Sequence, residues 1–177
     1  LVDGSVSRLR HEVRPLSELK ATHGSYFVTG NHEYYSGADA WIEALQSFDL
    51  KPLRNELVLI GDDEASFELL GVDDYNAFGP GHGADLDAAL RTSTGERATI
   101  LLAHQPKQIH EAAKRGISLQ LSGHTHGGQI FPFHFLVRLQ QPFIAGLQRV
   151  ANTQLYISRG TGFWGPPLRI AAPPEIT

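Results

Sequence analysis

The chain has 177 residues, a formal charge of −4 at neutral pH, 41% hydrophobic and 19% charged residues, and neither cysteine nor methionine. That length suffices for one domain with a sizeable core. The missing thiols exclude disulfides and thiolate metal sites, and basic residues that are scattered rather than clustered give no nucleic-acid surface. No apolar run approaches the ~20 residues that span a bilayer.

In chain order, Leu1-Val2-Asp3-Gly4 reads as the end of a strand entering a loop, and with no methionine the chain is expected to be a fragment or a processed product. Tyr26 to Thr29 reads as a buried strand ending at Gly30. Ser36 offers an N-cap with Asp39 as its capping-box partner. The helix that follows would present Ala40, Trp41, Ala44, Leu45 and Phe48 on one face. Leu57 to Ile60 and Phe67 to Val72 form a strand pair around an acidic turn at Asp62-Asp63-Glu64. Asp73 and Asp74 read as a solvated turn. Ala84 to Leu90 is a short helix. Ala98 to Ala103 is an apolar strand ending at His104. Pro106 opens a helix that stops at Gly116. Ser118 to Leu121 is a strand running into Ser122-Gly123-His124, and Gln154 to Ser158 and Leu168 to Ala171 are the last strands. Strands alternating with helices imply an α/β layered domain.

Ligands gather at the carboxyl ends of strands in open α/β sheets. Three histidine-bearing segments follow predicted strands: Gly30-Asn31-His32-Glu33, Ala103-His104-Gln105-Pro106 and Gly123-His124-Thr125-His126. An i, i+2 histidine pair in looped backbone can aim both rings into one region, and the flanking Gly123, Gly127 and Gly128 permit close approach. Imidazole suits zinc, iron, copper, nickel and manganese. The Asn31 carbonyl is a neutral oxygen donor, and Glu33 could fix its loop by accepting backbone N–H bonds. Five other histidines, His11, His23, His82, His110 and His134, lack a supporting pattern and read as ordinary. Among the aspartates only Asp3 is an early candidate.

Together these segments resemble the calcineurin-like metallophosphoesterase family. The matching pieces are Gly30-Asn31-His32-Glu33, His104 in Leu102-Ala103-His104-Gln105-Pro106, and Gly123-His124-Thr125-His126-Gly127. The closing run Ser158 to Arg169 resembles the bacterial subgroup of membrane-associated phosphodiesterases and UDP-2,3-diacylglucosamine pyrophosphatases. The resemblance implies a four-layer α/β/β/α sandwich without its first strands and helix, with residues 1–177 as the C-terminal portion of one metallophosphoesterase domain. It implies two divalent ions, Mn, Fe, Zn or similar, in the complete protein. Asn31, His104 and His124 would bind one and His126 the other. His32 would act near the leaving group as general acid or electrostatic stabiliser. The substrate would be a phosphomonoester, phosphodiester or pyrophosphate, which could be lipid-linked.

The family pattern opens with Asp-x-His and Gly-Asp segments that this chain lacks, and Asp3 matches a later aspartate that is generally not a ligand. The expectation is at most one weak metal site and low activity for this chain alone. Gln129 to Val150 is unusually apolar and reads equally as core or as a hydrophobic lip facing a lipid-like substrate or a membrane surface. Arg138, Arg149 and Arg159 are phosphate candidates, Arg159 foremost because it follows a strand. A non-catalytic binding module on the same fold is the alternative to an enzyme, and a cupin-like barrel is disfavoured by the helices between strands.

Overall fold

The computed structural model describes residues 3–62 and 65–177. The reading of Leu1-Val2 as a strand end, and the Asp63-Glu64 part of the acidic turn, lie outside the described residues. The chain divides into two compact units, one up to Arg97 and one from Ala98.

The first unit opens with helix α1, Val6–Val13, which sequence periodicity had not singled out. Val6, Leu9 and Val13 form an apolar stripe that packs on Trp41, Ala44, Leu45, Phe48 and Leu50. Strand β1, Ser25–Phe27, ends just before helix α2, Asn31–Ser36. Helix α3, Ala38–Gln46, follows at once, and Gly37 separates the two at φ 96°, where glycine alone is unstrained. Ser36 therefore closes α2 instead of capping α3, and the capping-box expectation with Asp39 fails. The α3 stripe is Ala38, Trp41, Ile42, Ala44 and Leu45, while Ala40 faces solvent. The Trp41 indole N–H donates to the Gly4 carbonyl at 2.9 Å, which ties down the start of the chain.

Strand β2, Leu50–Pro52, pairs in parallel with β1. Strands β3, Glu56–Gly61, and β4, Ser66–Gly71, form the expected antiparallel hairpin. Asp73 and Asp74, which follow it, are fully buried, so their reading as a solvated turn is wrong. Asp74 accepts locally from the Asn76 N–H at 2.7 Å, but Asp73 meets Thr29 and Arg54, 44 and 19 residues away, beyond the reach of a local pattern. Helix α4 is shortened to Leu86–Ala89, with Asp85 accepting from the Ala88 N–H as its cap.

The second unit is built on β5, Thr99–Leu102; α5, Ile109–Lys114; β6, Leu119–Ser122; α6, His134–Gln140; β7, Gly146–Val150; and β8, Thr153–Ile157. β6 lies between β5 and β8 with parallel pairing on both sides, and β7 adds antiparallel to β8. α5 packs on β7 and β8, and its Ile109 and Ala112 are buried, as are Leu155 and Ile157 of β8. Pro106 and Gly116 bracket the helical segment as expected, with Gly116 at φ 72°. The expected strand at Leu168 to Ala171 reduces to one isolated bridge, Ile130 to Ile170. Pro166-Pro167 and Pro173-Pro174 lack the N–H groups a longer ladder would need. The mixed α/β class is as expected.

Candidate metal centre

In the first unit, the candidate segment is the start of α2. Gly30 occupies the N-cap, and its N–H donates to the Glu33 carboxylate at 2.7 Å. Glu33 thus fixes the turn as the sequence suggested. Asn31 is buried at the first helical position, and His32 is half-buried beside it. His32 Nδ1 lies 2.6 Å from the Asp3 carboxylate. A carboxylate only accepts, so Nδ1 carries the shared proton and Nε2 is left to exchange one.

Beneath this turn runs a polar network that sequence reading missed. Thr29 donates to Asp73 at 3.4 Å and accepts from the Asp74 N–H at 3.3 Å, and its hydroxyl is 3.0 Å from the Tyr34 hydroxyl. Arg54 grips Asp73 through Nε at 2.9 Å and Nη2 at 2.7 Å, and this bidentate contact raises the guanidinium pKa. Arg54 also donates to His82 Nδ1 at 2.7 Å, so the His82 proton sits on Nε2, which faces Asp39 at 3.2 Å. The His82 ring stands edge-on to Tyr34, 5.2 Å between centres. Burial pushes the Tyr34 phenol up to about 12. His82, read as ordinary, is thus a buried hub, and its aromatic and arginine neighbours are the signal that a spacing pattern does not carry.

In the second unit, His104 and His124 follow the carboxyl ends of the neighbouring parallel strands β5 and β6. Their ring centres are 5.0 Å apart at 71°, and both are half-buried. Two imidazoles sharing one ion at about 2.0–2.1 Å from each nitrogen have ring centres roughly 5 Å apart. The ring spacing of this pair is compatible with a shared divalent cation. The Gly123 N–H donates to the His104 carbonyl at 3.1 Å, which locks the two loops together.

Thr125 is buried, donates to the Ile144 carbonyl at 2.7 Å, and accepts from the Gly127 N–H. The backbone here is left-handed at His124, φ 68°, at His126, φ 51°, and at Gln129, φ 50°. Such positions cost non-glycine residues energy and persist only where surroundings enforce them. Gly127 and Gly128 share the sign at φ 66° and 82°, and a methyl on Gly128 would lie 2.4 Å from His134 Cβ. His126 Nδ1 sits 3.3 Å from the Gly162 carbonyl. A carbonyl only accepts, so this contact puts the proton on Nδ1 and leaves Nε2 as a lone-pair donor. The second unit thus brings His104 and His124 together, and the Gly162 carbonyl orients His126. Among the described residues no three His, Cys, Asp or Glu side chains gather as one shell.

Arg159 does not project freely. It pairs with Glu175 at 2.9 Å and packs its side chain against Gly127. The Glu175 carboxylate is held below its usual range, chiefly by the Tyr156 hydroxyl. Arg159 and Arg138 line a cavity of about 460 Å³ together with Gly127, Phe131, His134, Ile144 and Ile170. Phe131, Phe133, Phe135, Leu136 and Leu139 are exposed. For these the core reading fails and an outward apolar rim remains.

The profile of the calcineurin-like phosphoesterase family matches residues 1–128. An uncharacterized metallophosphoesterase of Helicobacter pylori is 45% identical over 99% of this chain and 47% of its own length. A transmembrane protein with metallophosphoesterase domain from Danio rerio is 44% identical over the whole chain and 43% of its own length. The chain thus spans about half the length of the curated relatives it matches. Among solved structures, sulfate thiohydrolase SoxB of Thermus thermophilus in complex with glycerol superposes with a TM-score of 0.50. It has 18% identity, over 75% of this chain and 27% of that one, a likeness of fold.

Proposed function

The chain belongs to the calcineurin-like phosphoesterase family, and from that premise we propose that the complete protein, rather than this chain alone, hydrolyses a phosphomonoester, phosphodiester or pyrophosphate bond with two divalent cations. The observation that carries this reading is the His104–His124 pair, with ring centres 5.0 Å apart beyond neighbouring parallel strands. We assign Asn31, His104 and His124 to one cation and His126 to the other. Manganese, iron or zinc suits this nitrogen and oxygen set. Two such ions supply Lewis-acid charge that stabilises a phosphoryl group during displacement.

The chain's own residues supply the rest. Asn31 adds an oxygen donor without adding charge. Asp3 holds the Nδ1 proton of His32, so Nε2 can deliver a proton to the departing oxygen or stabilise charge there. Arg159, at the end of β8, is assigned to the substrate phosphate, with Glu175 as its resting partner. The exposed Phe131, Phe135, Leu136 and Leu139 beside Arg138 support a lipid-linked substrate or contact with a membrane surface. The closing Ser158 to Arg169 run supports a place among membrane-associated phosphodiesterases and UDP-2,3-diacylglucosamine pyrophosphatases.

The test, made on the complete protein with its Asp-x-His and Gly-Asp segments, is metal depletion by chelation, followed by restoration with manganese, iron or zinc and assay on bis-p-nitrophenyl phosphate and p-nitrophenyl phosphate. Restored hydrolysis is expected, and His32→Ala should lower kcat by roughly 10²–10⁴-fold while leaving metal content intact. Metal bound stoichiometrically with no hydrolysis of any ester would instead favour a non-catalytic module.

A further inference from the structure

The turn carrying His126 is strained, and Arg169 and Gln129, which brace it, lie beyond Gly128, the last residue of the family match. Arg169 donates through Nη2 to the His126 carbonyl at 2.9 Å and to the Arg159 carbonyl at 2.9 Å. Its Nε donates to the Ala172 carbonyl at 2.7 Å and its Nη1 to the Gly162 carbonyl. That same Gly162 carbonyl accepts the His126 ring N–H. One guanidinium therefore holds the His126 backbone and also places the carbonyl that orients its ring. Gln129 closes the other side. Its side-chain amide donates to the Trp164 carbonyl and accepts the Trp164 N–H, both at 2.8 Å, and its backbone carbonyl accepts the Ile170 N–H at 2.8 Å. Arg169 makes four bonds to carbonyl oxygens and no salt bridge to a carboxylate among the described residues. A planar fork can satisfy four fixed carbonyls at once, whereas an ammonium cannot reproduce that geometry.

We propose that Arg169 is a positioning residue: with residues 159–172 it forms a strap that holds His126 in its left-handed conformation, with Nε2 presented to a divalent cation. The proposal rests on the reading of His126 as a metal ligand. Outer partners of this kind change metal affinity by roughly 10- to 100-fold.

The experiment compares Arg169→Lys and Arg169→Gln with the wild type and with Arg91→Gln, an exposed arginine in the first unit. Two readouts are taken on the complete protein, with its Asp-x-His and Gly-Asp segments: ¹H–¹⁵N spectra of the metal-free form, and manganese titration by calorimetry. Both Arg169 variants should shift the His126, Gly127 and Gly128 amide signals and the His126 ring nitrogens. They should weaken one manganese-binding step by roughly 10- to 100-fold and leave the other unchanged, and Arg91→Gln should do neither. Unchanged turn signals, unchanged affinity in both steps, or global unfolding of both Arg169 variants would each overturn the proposal. His126→Ala separates the two layers. If it leaves both manganese steps intact, the ligand reading fails. If it abolishes one step while Arg169→Gln weakens none, only the strap fails.

Discussion

The start of α2 and the turn after β6 are assigned the same task, presenting ligands to a cation, and they are held in opposite ways. Asn31 and His32 sit on regular helical backbone, capped by a carboxylate three residues away. Below them lies a buried ion pair between Arg54 and Asp73. His124 and His126 sit on left-handed backbone, and His126 is held by groups 36 to 43 residues further along the chain. Regular backbone needs only a local cap. Strained backbone takes a remote clamp in addition to the Thr125 bonds within the turn.

The comparison can be broken first at its buried pair. Asp73→Ala leaves the Arg54 cation without its carboxylate, and breaking such a pair costs roughly 3–5 kcal/mol. Arg54 keeps 26% of its side chain exposed, so the low end, about 3 kcal/mol, is expected in urea unfolding. The Thr29 to Glu33 amides should lose hydrogen-exchange protection while Leu119 to Ser122 keep theirs. A loss spread evenly over both segments would contradict a support local to α2. Next in size is Gly128→Ala. It combines a positive φ with a methyl 2.4 Å from His134 Cβ, and should cost about 1–3 kcal/mol. A melting temperature equal to wild type would show that the turn is not tightly held. Removing the local cap is milder. Glu33→Ala should cost about 1 kcal/mol, read by the same melt, and a larger effect than Gly128→Ala would reverse the contrast between the two regions.

The smallest effect is pH-dependent. The Tyr34 phenol titrates higher in the fold, at about 12, than its ordinary value of about 10. Its contribution to stability is therefore complete below pH ~10 and is lost as pH rises toward 12. Tyr34→Phe should flatten that alkaline decline, and an unchanged slope would remove Tyr34 from the network under α2.

These two regions were unequally legible in the sequence. Gly30-Asn31-His32-Glu33 carries its cap within four residues, so the turn and the role of Glu33 could be read directly. The β3–β4 hairpin, the Pro106 to Gly116 segment and the strand ends before His104 and His124 were legible because alternation, Pro and Gly mark them locally. Ser36 misled because Gly37 serves as both C-cap and N-cap, and a serine beside it offers the same local signal. Asp73 and Asp74 looked solvated because two acids after a strand usually are, and Arg54 lies 19 residues back. Gln129 and Arg169 carry no spacing signal at all, since their partners are backbone carbonyls and amides, which every residue possesses. The aromatic run from Phe131 was ambiguous for a related reason. Composition states that a segment is apolar but not which way it faces.

The central claim is that His104 and His124 share one cation. Pulsed electron paramagnetic resonance on the manganese-loaded protein reads it directly, through ¹⁴N coupling from ligating imidazoles. The account predicts two coupled histidine nitrogens at one manganese, one fewer in His104→Ala and in His124→Ala taken singly. Bound manganese with no imidazole coupling, or coupling unchanged in both variants, would contradict it.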